Sequence, residues 1–436
     1  MVKDRLQKYL LIDRKRLSDK KYLLPWLALF IFMLVYSIIN SNHIGMDSDF
    51  NVFWTAGQNF SSGADLYSRI GGAERYIYPP FAAMLFQLFA LFPLKVAASI
   101  YTFINFLLFI FSIGLTREVL RYFITDSRKR TIALVFGALC SFRFFWYHTQ
   151  FVQMNELMLV LCLMAILASF KGKEWLTAVL IIFAVFIKIL PVFLIPWLVL
   201  RGNYKLIFKL AVCTIVCLAL PLLWRGWHAG LTDLHNYYAT FLEPFQNGRV
   251  EPEFHNQSLA AGIYKICLPN STDPGYSYQL LSLNVAEAAM VYKIFFLLLS
   301  GLLGGFLLWE RFSLKRNTLR GLALVFICMH LLSGITWEYH LVSLLFVYAV
   351  FVLYYWKKKN LIQKIFFYLL VVIIPLLSLV GKDTVGMTMY HYLEGYGIIT
   401  WTMVLLFFFM LFTKESEEVG TVPIEKYLLS CPILPI

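Results

Sequence analysis

Residues 22–39 read YLLPWLALFIFMLVYSII, eighteen residues without a charge, and they follow a segment, Met1 to Lys21, that carries eight Lys/Arg. Crossing the hydrocarbon of a bilayer takes about 20 apolar residues. The run is therefore long enough to span, and longer than the apolar core of a cleaved leader. Asn40, Ser41, Asn42 and His43 come next, with no small-residue cleavage site. The stretch reads as a retained first membrane helix with its basic flank in the cytoplasm.

The rest of the chain repeats that pattern. Of 436 residues, 60% are hydrophobic, 17% aromatic and only 14% charged, and mean hydropathy is +0.70. One water-soluble core cannot hide that much apolar surface, so lipid must be the solvent for most of it. Further spans are expected at 96–116, 131–147, 151–170, 206–224, 289–309, 318–333, 338–356, 361–379 and 396–412. Residues 79–92 are apolar but short, bounded by Pro79-Pro80 and Pro93. Residues 175–200 form one long run interrupted by Lys188 and Pro191.

Basic clusters at 1–21, 117–130, 171–173, 201–209, 311–320 and 357–364 should all face the cytoplasm. Passing from 171–173 to 201–209 without changing side needs an even number of crossings. Residues 175–200 are thus expected to be a hairpin of two short helices with Lys188-Ile189-Leu190-Pro191 at its outer apex, and 79–92 to dip in without crossing. The result is an all-α polytopic protein of about twelve transmembrane helices with helical outer loops. A basic N-terminus covers 1–21, one membrane domain covers 22–412, with outer loops at 41–95 and 225–288, and a cytoplasmic tail covers 413–436. On this layout 28 of the 38 Lys/Arg are cytoplasmic, so the formal charge of +13 records orientation and a nucleic-acid partner is excluded. The seven cysteines lack CxxC spacing, which argues against a disulfide framework or zinc site.

All eight histidines fall on the opposite side, in outer loops or, for His330, near an outer helix end. Polar side chains at membrane depth are costly and usually functional. Four outer clusters stand out. The first is Asp47-Ser48-Asp49-Phe50 with the later Tyr76-Ile77-Tyr78-Pro79-Pro80. The second runs from Trp146-Tyr147-His148 to Gln153-Met154-Asn155-Glu156. The third is Phe254-His255-Asn256-Gln257-Ser258, and the fourth Ser333-Gly334-Ile335-Thr336-Trp337-Glu338-Tyr339-His340. Asp49 reads either as the N-cap of a helix starting near Phe50 or as a general base at the bilayer surface. Lys188 reads either as a snorkelling residue or as a phosphate ligand.

The order D-F-x-x-F-W-x-A, G-x-D-L-Y, Y-x-Y-P-P, Q-x-N-E, I-K-I-L-P, N-Q-S-L and S-x-x-x-W-E-Y-H, from about Asp47 to about His340, resembles glycosyltransferase family 87. That family is related to the mycobacterial polyprenol-phosphate-mannose-dependent α-1,2-mannosyltransferases. The resemblance implies a C-type glycosyltransferase bundle whose first outer loop carries the catalytic Asp. The matching position is Asp49, with Asp47 as the nearby alternative. The fourth motif commonly reads S-P-x-x-W-x-H-H in the family; here Gly334 replaces the proline and Tyr339 the first histidine, leaving His340.

A polyprenyl-phosphate sugar is met at the membrane surface because its lipid holds it there. Its leaving group is a phosphate, so the reaction needs a base for the acceptor hydroxyl and cationic or hydrogen-bonding groups for the phosphate. Asp49 suits the base and Lys188 the phosphate. His340 suits either the phosphate or the acceptor, and Gln153, Asn155, Asn256 and Gln257 suit sugar hydroxyls. Tyr78, His255, Trp337 and Glu338, in the same motifs, complete the expected binding set with Asp47. No metal or other cofactor is expected. One-step attack would invert the anomeric carbon. The expected partners are a lipid-linked donor, with mannose as its sugar, and a lipid or glycan acceptor, on the extracytoplasmic side of the inner membrane. A transporter or flippase of a lipid-linked sugar is the alternative from another class. It predicts internal repeats and charges near the midplane, and the sequence shows no repeat. A polysaccharide polymerase or ligase would carry arginines in its large loop, where this chain has only Arg225 and Arg249.

Overall fold

The computed structural model describes residues 20–68, 76–200, 204–246, 248–269, 275–313, 318–355 and 360–413, and among these no strand occurs. The basic segment up to Asp19 and the tail from Lys414 lie outside the described residues.

Helix α1 (Lys20–Ser41) is the opening apolar run. Two short helices follow, α2 (Asp49–Ser62) and α3 (Pro80–Ala90), packed face to face. Ser48 caps α2: its hydroxyl accepts the Asn51 N–H at 3.3 Å, and Gly63 ends the helix with φ at 81°. At 11 residues α3 rises about 16 Å, about half the hydrocarbon thickness. It meets α2 at Gly57, where a Cβ would sit 2.6 Å from the Phe86 carbonyl.

Long helices α4 (Leu94–Arg121) and α5 (Ser127–Gln150) lead to α6 (Asn155–Phe170) and α7 (Glu174–Ile187), which pack on one another in sequence. At Lys188 the helix stops, and a 3-10 turn (Leu190–Phe193) carries Pro191 into α8 (Leu194–Leu200). Next, α9 (Lys205–Arg225) starts beside the beginning of α7, where Lys209 and Glu174 are ion-paired. The chain between them runs out and returns, with Lys188 at the far point. The large loop holds α10 (Trp227–Tyr237) and α11 (Leu259–Cys267).

The chain then forms α12 (Val285–Phe312), α13 (Thr318–Leu331), a 3-10 turn (Glu338–Ser343), α14 (Leu344–Tyr355) and α15 (Leu361–Leu377). Finally α16 (Met387–Gly395) and α17 (Ile398–Phe412) meet at a 42° bend, where Gly397 has φ at 69°.

The centre is α6, α13 and α14, whose apolar residues are almost all buried. Helix α14 lies tightly on α5 at Gly137, where a Cβ would come 2.5 Å from the Leu345 oxygen. Around this core α1, α9, α12 and α15 present rows of exposed Leu, Ile, Phe and Val. Apolar faces of that extent need a lipid surround. Among the described residues, five helices are long and apolar enough to cross a membrane, or six if α16 and α17 count as one bent span. The other expected crossings fall on shorter apolar helices of 10–17 residues, so length and composition do not by themselves reach twelve.

Candidate active site

The turns at one end of the bundle bring together residues from five separate stretches of sequence. Asp49 is the first residue of α2. Because Ser48 already serves as the cap, the Asp49 carboxylate is turned elsewhere. Its Oδ2 accepts from Gln153 Nε2 at 2.7 Å and from the Tyr339 hydroxyl at 3.1 Å. Gln153 reaches it from the turn between α5 and α6. There Val152 holds φ at 51°, a strained conformation for a β-branched residue. The backbone carbonyl of Gln153 is itself held by Asn105 Nδ2 from α4 at 3.1 Å. Strain and clamp together aim the amide at the carboxylate.

Lys188 enters from the break after α7. Its Nζ donates to Asn155 Oδ1 at 2.9 Å and lies 2.7 Å from His340 Nε2. It stands over the Tyr78 ring, 6.0 Å from the centroid. His340 Nδ1 accepts the Trp337 N–H at 3.2 Å, so the 3-10 turn fixes the imidazole. Asn155 Nδ2 is buried with no hydrogen-bond partner among the described residues. Asp49, Tyr78, Gln153, Asn155, Lys188 and His340 thus form one cluster. Asp47 does not join it; it is exposed in the loop, folded back toward Gly45.

Glu338 and His255 belong to a second cluster, on the other side of the 3-10 turn. Arg143 of α5 pairs with Glu338 at 2.6 Å and with Glu394 of α16 at 3.1 Å, and it donates to the Leu377 carbonyl at 2.9 Å. Tyr390 donates to Glu338 at 3.0 Å and lies 3.3 Å from His255 Nδ1. Lys265 donates to the carbonyls of Phe254, Asn256 and Glu394. Two cations and two carboxylates are buried together, which meets the demand that buried charges be paired. Burial, followed by the charges of His391, Lys265, Arg143 and Lys382, lowers His255 to about 4.

Asn256 and Gln257 are occupied within the protein. Asn256 Oδ1 accepts the N–H groups of Ser258 and Thr336, and its amide donates to the carbonyls of Glu251 and Gly334. Gln257 bonds Glu394 at 2.7 Å and accepts from Thr400 at 3.0 Å. Asn256 ties the large loop to the stretch just before the His340 turn, and Gln257 ties it to α16 and α17 and, through its main-chain N–H, to the Thr336 carbonyl. Trp337 is half-buried, and its main chain brackets His340. At Gly334, where the resemblance expects proline, a Cβ would come 2.1 Å from the Phe245 ring as it is placed here.

Sequence reasoning left out Arg143, Lys265, Tyr390 and Glu394, and noted Tyr339 only as a replaced histidine. For Arg143 the signal was present: a guanidinium inside the apolar run 131–147 is costly enough to ask for a partner. Nothing in the local pattern marked Glu394 as that partner. Among the described residues, no group of three or more His, Cys, Asp or Glu is placed to hold a metal ion.

A profile of glycosyltransferase family 87 matches residues 76–334, more than half of the chain. The matched stretch holds Tyr78, Gln153, Asn155 and Lys188. Asp49, Tyr339 and His340 lie outside it and are joined to it by the bonds just described. No curated protein matches the sequence. The crystal structure of ArnT from Cupriavidus metallidurans in the apo state is similar at 13% identity and a TM-score of 0.37, over 89% of this chain and 78% of that one.

Proposed function

This chain belongs to glycosyltransferase family 87 and is a membrane glycosyltransferase, and from that premise we propose that it moves mannose from a polyprenyl-phosphate donor to a lipid or glycan acceptor on the extracytoplasmic side, with inversion. The observation that carries the reading is the pairing of a carboxylate and a cation in one cluster: Asp49, held by Gln153 and Tyr339, and Lys188, held by Asn155 and beside His340.

Asp49 takes the proton of the acceptor hydroxyl while that oxygen attacks the anomeric carbon. The bond from that carbon to the phosphate oxygen breaks, and its electron pair leaves with the phosphate. The donor is a phosphodiester with one negative charge, whereas the departing polyprenyl phosphate carries one more. Lys188 meets that added charge, with His340 beside it, so the cation acts where charge develops. Asn155 Nδ2 is a donor without a partner among the described residues, suited to a phosphate or sugar oxygen. Attack from the side opposite the leaving group turns a β-linked donor into an α-linked product. Membranes containing the protein, incubated with radiolabelled polyprenyl-phosphate mannose, should pass label to a lipid or glycan. Labelling from another polyprenyl-phosphate sugar alone would change the sugar, and labelling from none would end the proposal.

A further inference from the structure

The Tyr339 hydroxyl donates to the same Asp49 oxygen that Gln153 holds, at 3.1 Å against 2.7 Å. Its ring is fixed on both sides, with Phe151 at 5.5 Å and His340 at 4.9 Å between centroids. Two donors on one carboxylate oxygen fix the direction of the group and favour its ionised form. We infer that Tyr339 is a positioning residue that sets both the aim and the basicity of Asp49; this rests on the reading of Asp49 as the base.

Other ionisable groups stand around the carboxylate: Lys188 and Tyr78 interact electrostatically with Asp49 and Glu253 with Tyr339, His340 lies 2.7 Å from Lys188 and against the Tyr339 ring, and Asp47 is exposed two residues earlier. A phenol ordinarily ionises near 10, whereas an imidazole titrates near 6.5. With tyrosine rather than histidine at this position, the donor to Asp49 keeps one charge state over the whole working range. The Tyr339 hydroxyl therefore adds no ionisation of its own to the acid limb of activity.

The test is kcat/KM against pH for the full-length protein in detergent, with radiolabelled polyprenyl-phosphate mannose. Wild type is compared with Tyr339→Phe, Tyr339→His, Phe151→Leu and Asp49→Asn. Tyr339→Phe keeps the ring and loses the donor, and a donor to a charged group corresponds to about one unit of pKa, so its acid limb should move up by about one pH unit. Phe151→Leu loosens the ring but keeps the hydroxyl, so it should move the limb by less than Tyr339→Phe does. Tyr339→His should add a second ionisation between about pH 5 and 8. An infrared difference titration of the Asp49 carboxylate, wild type minus Asp49→Asn, should show the same one-unit shift in Tyr339→Phe without depending on turnover. A folded Tyr339→Phe with unmoved limb and unmoved carboxylate overturns the inference, as does a Tyr339→His profile that superimposes on wild type. Near wild-type turnover in Asp49→Asn instead overturns the base reading, and the infrared shift then still decides the role of Tyr339.

Discussion

Asp49 sits in the first turn of a helix whose cap is Ser48, so removing its charge should cost chemistry more than folding. Asp49→Asn keeps the shape and can still accept one hydrogen bond; turnover should fall roughly 10²–10⁴-fold with little change in melting temperature. Asp47→Asn should do far less, since that side chain is exposed. Comparable turnover in wild type and Asp49→Asn would remove the assignment. Lys188→Met should raise the donor KM by roughly 10–100-fold, the loss of one charge-assisted bond, with Lys188→Arg intermediate; an unchanged KM would leave Lys188 a structural cation. The sequence could offer Asp49 and Lys188 as candidates because a charge beside an apolar run is visible in one dimension. It could not show that Asn256 and Gln257 spend their amides on Thr336, Gly334 and Glu394, because those partners are far away in sequence. The histidine next to them gives a pH signature. Folded His255 titrates near 4 against about 6.5 unfolded, so the folded state binds fewer protons and stability should fall as pH drops from 6.5 to 4, then level off. His255→Gln should flatten that slope in melting curves; an unchanged slope would exclude this histidine as its source.

Contacts between elements depend in places on the absence of a side chain. At Gly137 the α5 backbone lies against α14, and at Gly57 the α2 backbone lies against α3. Small residues allow that approach in membrane bundles. Gly137→Leu should therefore lower the melting temperature in detergent and broaden the size-exclusion peak, by overpacking worth roughly 1–3 kcal/mol or more; a variant as stable as wild type would mean the helices can part without loss. The pattern of apolar runs foretells α1, α4, α5, α9 and α12 to within a few residues. It gives the start of the span at 338–356 less well, because the first six residues form a 3-10 turn. Hydropathy does not record the need to point Glu338 one way and Tyr339 and His340 the other.

At the scale of the whole molecule, the helix ends that gather the site are opposite those that carry Arg117, Arg121, Lys171, Lys205 and Lys209. That two-ended plan is legible in the sequence through the parity of its crossings and the placement of its basic residues. Single cysteines placed at Ser61, Ser127 and Asn360, all exposed, test which end is which. Six native cysteines are buried, and Cys431, like the loop position Ser271, lies outside the described residues, so Cys431 is replaced first. Ser61 should react with an impermeant maleimide on intact cells, while Ser127 and Asn360 should react only after permeabilisation. Labelling of Ser61 only after permeabilisation would invert the assigned topology.

Arg143 is separated from Glu338 by 195 residues and from Glu394 by 251. A ribosome therefore delivers α5 to the membrane long before either carboxylate exists. During that interval the guanidinium must be sheltered by water, by a lipid headgroup or by the insertion machinery, since an unpaired charge in hydrocarbon is expensive. Segments made later thus neutralise a helix made earlier, and a nascent chain stopped before Glu394 should be recognised as unfinished and degraded.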